Sequence, residues 1–152
     1  MLALLFACGT STDPPIATTF DVCLPIVVDA PEATEDELAS LDDAMAMWRD
    51  HGVAGLSRAA SSSDAHVVLR FQSAAANFHG LYDDAAGVIY VNTALTDRRA
   101  RAITIAHELG HSFGLFHIAR DERESVMNPA NLSVAPDAAD TAAVQAIWGD
   151  CR

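Results

Sequence analysis

The feature that most constrains this 152-residue chain is the segment 107–117, which reads His-Glu-Leu-Gly-His-Ser-Phe-Gly-Leu-Phe-His. His107 and His111 are four residues apart, so on a helix both imidazoles leave the same face, one turn apart. Gly114 accepts a left-handed backbone and can end that helix with a sharp turn. His117 can then return as a third ligand. Three neutral ring nitrogens leave a fourth tetrahedral position for water, an arrangement typical of a catalytic zinc site.

Glu108 follows the first of these histidines directly. Its carboxylate can reach a metal-activated water without binding the metal itself, which is the position that a general base requires. The alternative interpretation of two histidines at this spacing is a polar helix face without a ligand. The complete pattern HExxHxxGxxH is much rarer than HExxH alone, and we therefore interpret it as a zinc site.

The extended motif and the segment Ser125-Val126-Met127-Asn128-Pro129 together resemble the metzincin clan of zinc metalloproteases. In that clan the zinc motif is followed by a turn that contains a methionine. The resemblance implies a zinc-dependent endopeptidase with Glu108 as general base and Met127 as an apolar floor beneath the ligands. The end of the chain is more specifically similar to the C-terminal helix of bacterial matrixins, at Asp140, Val144, Gln145, Ile147, Trp148 and Gly149.

The predicted fold is an α+β, metzincin-like domain with a twisted mixed sheet of four to five strands and three main helices. The helices are expected over 34–51, 96–113 and 137–148, from capping residues and apolar periodicity. The strands are expected over 19–28, 56–60, 66–72, 78–82 and 88–92. By resemblance, strand 78–82 is the edge that pairs with the substrate backbone. Arg98, Arg99 and Arg101 are expected to form surface ion pairs.

The net charge of −12 and the absence of lysine argue against binding to nucleic acid, which requires a positive surface. They also argue against a polybasic membrane patch. We expect a monomer whose partner is a protein or peptide substrate.

The first residues suggest export. Residues 1–8 end in Leu-Phe-Ala-Cys, which looks like a bacterial lipobox, with Cys8 as the lipid attachment point. A simple secretory signal is the alternative, since no basic residue precedes the apolar run. Residues 9–18 are interpreted as a flexible tether, and residues 19–152 as the metalloprotease domain. The expected location is therefore extracytoplasmic, as a cell-envelope lipoprotein or a secreted protein.

Cys23 and Cys151 remain near the two ends of the domain. In an exported protein a disulfide between them is expected, and two separate buried thiols are the alternative. Matrixins also carry a structural zinc and calcium near the region of His79, Asp83 and Asp84. The resemblance therefore implies a structural Ca²⁺ site in this region. The alternative is that these carboxylates belong to a loop and face solvent.

Two other functions stay open at this point. One is a non-catalytic surface lipoprotein of the same fold that binds zinc or peptides, although such a protein would not need Glu108. The other is a zinc hydrolase that does not act on peptides.

Overall fold

The computed structural model describes residues 14–61 and 66–151. The lipobox-like segment with Cys8 and the first part of the tether lie outside these residues. The elements in chain order are β1 (Ile26–Asp29), α1 (Glu35–Asp50), β2 (Leu56–Arg58), β3 (Val67–Gln72), β4 (Gly80–Asp83), β5 (Val88–Asn92), α2 (Arg98–Ser112) and α3 (Ala138–Trp148). The predicted α+β fold with a mixed five-stranded sheet and three helices is confirmed.

The sheet has the strand order β2-β1-β3-β5-β4. All neighbouring strands run parallel except β4, which is antiparallel to β5 and lies at the edge. Within the described part of the chain, β4 therefore has one paired side and one unpaired side. The unpaired backbone groups of such an edge can accept another extended strand.

Helices α1 and α2 pack against each other and against the sheet. Trp48 of α1 is fully buried between them, where its indole N–H donates to the Ala106 carbonyl at 2.9 Å and its ring meets Phe113 edge-on. Arg101 differs from the surface ion pair that we predicted. It is buried, and its guanidinium binds Ser40 and Asp36 of α1. This buried arginine fixes α2 on α1.

The helix ends follow the capping residues of the sequence. Thr34, Asp97 and Asp137 are the N-caps of the three helices, and each side chain accepts a hydrogen bond from a backbone N–H of the first turn. Such caps satisfy N–H groups that have no partner within the helix. No helix among residues 14–61 and 66–151 combines the length and the apolar character needed to cross a bilayer.

The first strand is shorter than predicted, because residues 22–24 form a turn and residues 19–21 and 25 are not in a strand. The Asp21 carboxylate accepts the backbone N–H of Cys23 at 2.8 Å, and the Asp21 carbonyl accepts that of Leu24 at 3.1 Å. This local hydrogen bonding competes with strand pairing and outweighs the β-propensity of the segment. Pairing begins only after Pro25, which has no N–H to donate.

Candidate metal centre

The centre is built on α2, most of whose residues are buried. His107 and His111 lie one turn apart on this helix, and their ring centroids are 4.9 Å apart. Because α2 packs against both α1 and the sheet, the two rings project from a helix that is held rigidly in place. A rigid support is what a preorganised metal site requires.

The chain reverses directly after α2. Gly114 has φ +96, a conformation that side-chain-bearing residues rarely adopt, and it turns the chain back toward the helix. The turn brings the Nε2 atom of His117 to 3.2 Å from Nε2 of His107 and 3.2 Å from Nε2 of His111. The structure thus brings together the three histidines that the sequence pointed to, and their ligand atoms all lie within 4.8 Å of one another.

The hydrogen bonds of two rings leave the correct nitrogen free for a metal. The Nδ1 atom of His107 lies 2.7 Å from the Val126 carbonyl, and that of His111 lies 2.7 Å from the Leu115 carbonyl. A carbonyl only accepts, so Nδ1 carries the proton in both rings and Nε2 keeps its lone pair. Ligands at about 2.0–2.1 Å from a tetrahedral ion are about 3.3 Å from one another. The two separations of 3.2 Å fit zinc.

Burial keeps these rings neutral. Together with the smaller effect of the neighbouring histidines, and against the hydrogen bonds to the Val126 and Leu115 carbonyls, it lowers the pKa of His107 to about 4 and that of His111 to about 4. A histidine must be neutral to bind a metal through its lone pair. At neutral pH, both rings are therefore ready to bind without first losing a proton.

Glu108 points into the same centre and is almost completely buried. Burial raises its pKa to about 8, and a hydrogen bond from the Tyr82 backbone N–H partly opposes this. Gly80 makes the close approach of the edge strand possible, since a Cβ there would lie 2.9 Å from Oε1 of Glu108 and 2.7 Å from Cγ2 of Thr104. The carboxyl group is thus held between α2 and β4.

Met127, in the turn that follows the zinc motif, is fully buried. The turn that carries it is held by Asn128, whose side-chain amide donates to the carbonyls of Ile118 and Arg123 at 2.8 and 3.0 Å. Met127 packs against Gly110, where a Cβ would collide with its sulfur atom. The sulfur of this methionine therefore faces the helix that bears His107 and His111, and the role of Met127 as an apolar floor beneath the ligands stays a prediction.

A cleft of about 460 Å³ opens above the three histidines. Its walls include the edge strand β4 on one side and the segment around Pro129 on the other. Leu81 and Phe116 line the cleft, although both side chains remain largely exposed to solvent. A solvent-exposed apolar side chain in a cleft is a typical contact for a bound peptide.

Residues 14–18, which we assigned to the tether, also contact this cleft. Pro14, Pro15 and Ile16 line it. The Ala17 N–H donates to the Asp84 carboxylate at 2.5 Å, and the Tyr82 hydroxyl donates to the Thr18 carbonyl at 2.9 Å. The end of β4 therefore supplies polar partners for this segment, and the domain boundary at residue 19 stays a prediction.

The calcium expectation has no support among the described residues, where the three histidines form the single group of metal-binding side chains. Asp83 accepts the N–H groups of Ala85 and Ala86 and so closes the β4–β5 turn. Asp84 accepts the Ala17 N–H. Both carboxylates thus have structural partners on the backbone.

A disulfide joins Cys23, in the turn before β1, to Cys151, beyond α3, with their Cα atoms 4.9 Å apart. The bond ties the turn before β1 to the C-terminal end of the described chain. Trp148 of α3 lies next to it and donates its indole N–H to the Phe113 carbonyl at 2.8 Å. The C-terminal end is therefore attached both to the N-terminal turn and to the end of α2.

Three residues of the centre were not singled out as site residues from the sequence. Gly80 and Gly110 admit close neighbours, and Asp140 is a fully buried carboxylate behind the turn of Met127. A glycine inside a helix costs up to about 1 kcal/mol, so Gly110 was a signal of close packing. Asp140 was noted for its similarity to the C-terminal helix of matrixins, but no local signal placed it at the centre.

Comparisons with known proteins agree with this geometry. Residues 18–118, more than half of the chain, match the family described as M12B reprolysin-like metallopeptidases. Among solved structures, the chain is similar to archaemetzincin from Methanopyrus kandleri, with a TM-score of 0.52 and 16% sequence identity. That match covers 81% of this chain and 94% of the other, and it shows the fold. No curated protein matches the chain. A closer relation to matrixins is not shown and stays a prediction.

Proposed function

The chain belongs to the M12B reprolysin-like metallopeptidase family, and from this premise we propose that it is a zinc-dependent endopeptidase with Glu108 as its general base. The observation that carries the proposal is the convergence of three imidazole Nε2 atoms beside a buried carboxyl group, within a cleft bordered by an unpaired strand edge. His107, His111 and His117 would hold the metal, and water or substrate would take the open position.

Glu108 has the environment of a proton carrier. Its pKa of about 8 in the metal-free site lies close to neutral pH, where a group can both accept and release a proton. When bound, zinc would supply Lewis-acid polarisation of the scissile carbonyl and of water. Glu108 would take a proton from the attacking water and deliver it to the departing amine. The Tyr82 N–H holds the carboxyl group in place for this transfer.

The edge strand β4 supports binding of an extended peptide. Its outer side has unpaired N–H and C=O groups, which could pair with a substrate backbone as an added strand. Leu81 and Phe116 would contact apolar substrate side chains. Binding in the middle of an open cleft suits cleavage within a peptide rather than at its end.

A peptide-library digest tests this proposal. The purified chain should cleave at internal bonds, a chelator should abolish cleavage, and added zinc should restore it. Glu108→Gln should bind zinc as the wild type does but lose activity by several orders of magnitude. If wild-type protein that contains zinc cleaves no library peptide, the alternative of a non-catalytic binding protein is favoured. Cleavage by Glu108→Gln at the wild-type rate would show that the base is another group.

We also propose an extracytoplasmic location. The disulfide between Cys23 and Cys151 supports it, since such bonds persist in oxidising compartments. Lipid attachment at Cys8, outside the described residues, is proposed from its sequence context. Labelling of cells with a fatty-acid probe should mark the wild type and not Cys8→Ser. Equal labelling of both chains would count against lipidation at this cysteine.

The proposed monomer and the finer relation to matrixins need separate tests. Sedimentation should give the mass of one chain, 16.1 kDa, and a mass of two chains would contradict the monomer. A matrixin-type metal complement would include a second zinc and a calcium. Metal analysis that finds one zinc and no calcium per chain would argue against that relation while leaving the catalytic proposal intact.

A further inference from the structure

Asp140, in the first turn of α3, is a fully buried carboxylate directly behind the turn of Met127. Its Oδ1 atom accepts the Ser125 hydroxyl at 2.5 Å and the Arg123 guanidinium at 2.7 Å. Its Oδ2 atom accepts the Val126 N–H at 3.2 Å. A buried carboxylate with this many donors is fixed in position.

A continuous series of hydrogen bonds leads from this carboxylate to a proposed zinc ligand. The Ser125 hydroxyl that donates to Asp140 also accepts the Met127 N–H, at 2.9 Å. That N–H belongs to the same peptide group as the Val126 carbonyl. The carbonyl in turn accepts Nδ1–H of His107 at 2.7 Å. Every donor in the series points toward the carboxylate.

Hydrogen bonds arranged in this way polarise one another, and the effect is strongest where water is excluded. Ser125, Val126 and Met127 are all fully buried. Donation to Asp140 makes the Ser125 oxygen a better acceptor, which makes the Val126 carbonyl a better acceptor for His107. The His107 ring is thereby held in one tautomer, with more electron density at the Nε2 atom that faces the centre.

His111 offers an internal comparison. Its Nδ1–H donates to the Leu115 carbonyl at the same distance, 2.7 Å. Within the described residues, that peptide group leads to no carboxylate. The two direct hydrogen bonds thus have the same length, but the rings differ in what lies behind the accepting carbonyl, and the Val126 carbonyl also accepts the Asn131 side-chain amide at 3.2 Å.

We propose that Asp140 is a positioning residue for His107, acting through Ser125 and the Val126–Met127 peptide to strengthen the metal affinity of that ring. The inference rests on the proposed zinc centre. A purely structural role for Asp140 is the alternative, because its Oδ2 atom also accepts the Asp137 backbone N–H in the capping box of α3. The test must therefore separate an effect on the ring from an effect on the helix.

Ser125→Ala interrupts the series and leaves the capping box of α3 intact. Asp137→Ala is the matched control, because it removes the N-cap side chain of α3 and keeps the backbone N–H that Asp140 accepts. Asp140→Asn removes the charge while keeping the shape. It repeats the test if Ser125→Ala fails to fold.

The first readout is the Nδ1–H resonance of each ligand ring in the zinc-loaded full chain, measured by ¹H–¹⁵N NMR. We expect Ser125→Ala and Asp140→Asn to move the His107 resonance and leave that of His111 in place. Asp137→Ala should move neither. Equal movement at both rings, or movement at neither, would overturn the inference.

The second readout is zinc affinity, measured by competition with a chromophoric chelator. Removal of an outer hydrogen-bonding partner of a metal ligand lowers affinity by about 10- to 100-fold. Because a peptide group intervenes, we expect a loss of about tenfold for Ser125→Ala and for Asp140→Asn, and none for Asp137→Ala. Wild-type affinity in both variants would overturn the inference and leave the proposed function standing. Tight zinc binding without peptide cleavage in the wild type would contradict the proposed function and leave the inference about Asp140 standing.

Discussion

At the scale of single residues, Glu108 is the group whose environment departs most from that of an ordinary surface side chain. It is a carboxyl group with 5% of its surface exposed, and the Tyr82 backbone N–H partly offsets its desolvation. Such burial disfavours the charged form and therefore costs the metal-free fold stability at neutral pH. The proposed role of Glu108 in proton transfer gives a physical reason for a buried carboxyl group at this position.

The pH dependence of stability tests this burial. The pKa of Glu108 is raised from 4.5 to about 8, so between these values the folded state binds the extra proton and the unfolded state does not. The zinc-free wild type should therefore lose stability relative to Glu108→Gln as the pH rises from about 4.5 to 8, by at most about 1.4 kcal/mol per pH unit. Urea unfolding of both proteins across this range measures the difference. If the free energies of unfolding of the two proteins differ by the same amount at every pH in this range, the carboxyl group is solvated.

Gly80 gives a second residue-scale prediction. In Gly80→Ala the new Cβ would lie 2.9 Å from Oε1 of Glu108 and 2.7 Å from Cγ2 of Thr104. We expect kcat/KM to fall by about tenfold or more, since small displacements of catalytic groups have large effects. Zinc content should not change. Thr104→Ser removes the Cγ2 atom and should recover part of the loss in the double variant. Full activity of Gly80→Ala alone would show that the contact is easily relieved.

At the scale of elements, the centre depends on how closely α2 approaches the turn of Met127. Gly110 allows this approach, although glycine is a poor residue for the middle of a helix. The side chain of Trp48 borders the same site, with Cζ2 3.4 Å from the position of a Cβ. Packing and intrinsic helix preference therefore oppose each other at this position.

Gly110→Ala shows which effect is larger. Alanine improves helix propensity by about 1 kcal/mol, but the collision with Met127 costs about 1–3 kcal/mol in a dense core. We expect a net loss of stability and a lower Tm in thermal unfolding. In combination with Met127→Ala, the loss should be smaller than the sum of the two single losses. Additive losses would mean that the two residues do not interact.

The elements also show what local sequence could and could not predict. The three histidines and Gly114 were predictable because the motif 107–117 spans only a helix and one turn. Arg101 was misplaced, because its partners Ser40 and Asp36 belong to a helix distant in sequence. The segment 19–25 was misread because the hydrogen bond from the Cys23 backbone N–H to the Asp21 carboxylate overrides its β-propensity.

At the scale of the whole molecule, the turn before β1 is joined covalently to the C-terminal end of the described chain. Cys23 and Cys151 are 128 residues apart in sequence. The contact of residues 14–18 with the cleft and the position of Asp140 behind the Met127 turn also join distant parts of the chain. The disulfide was expected from the two remaining cysteines, whereas the other two contacts have no periodicity or motif that a sequence reading could detect, because each depends on the finished packing.

Removal of the disulfide should therefore affect stability more than chemistry. Closure of so long a loop restricts the unfolded chain by about 4–5 kcal/mol in the chain-entropy view. Replacement of both cysteines by serine should lower the free energy of unfolding by up to this amount, measured with urea. The folded fraction should keep its zinc content and its rate of peptide cleavage. Loss of zinc from protein that is still folded would show that the bond also shapes the centre.

The most direct test of the account is X-ray absorption spectroscopy of the zinc-loaded chain. The account predicts one zinc per chain with three imidazole nitrogens and one oxygen at about 2.0–2.1 Å, and one imidazole fewer in His117→Ala. A first shell that contains sulfur, or a spectrum that does not change in His117→Ala, would contradict it.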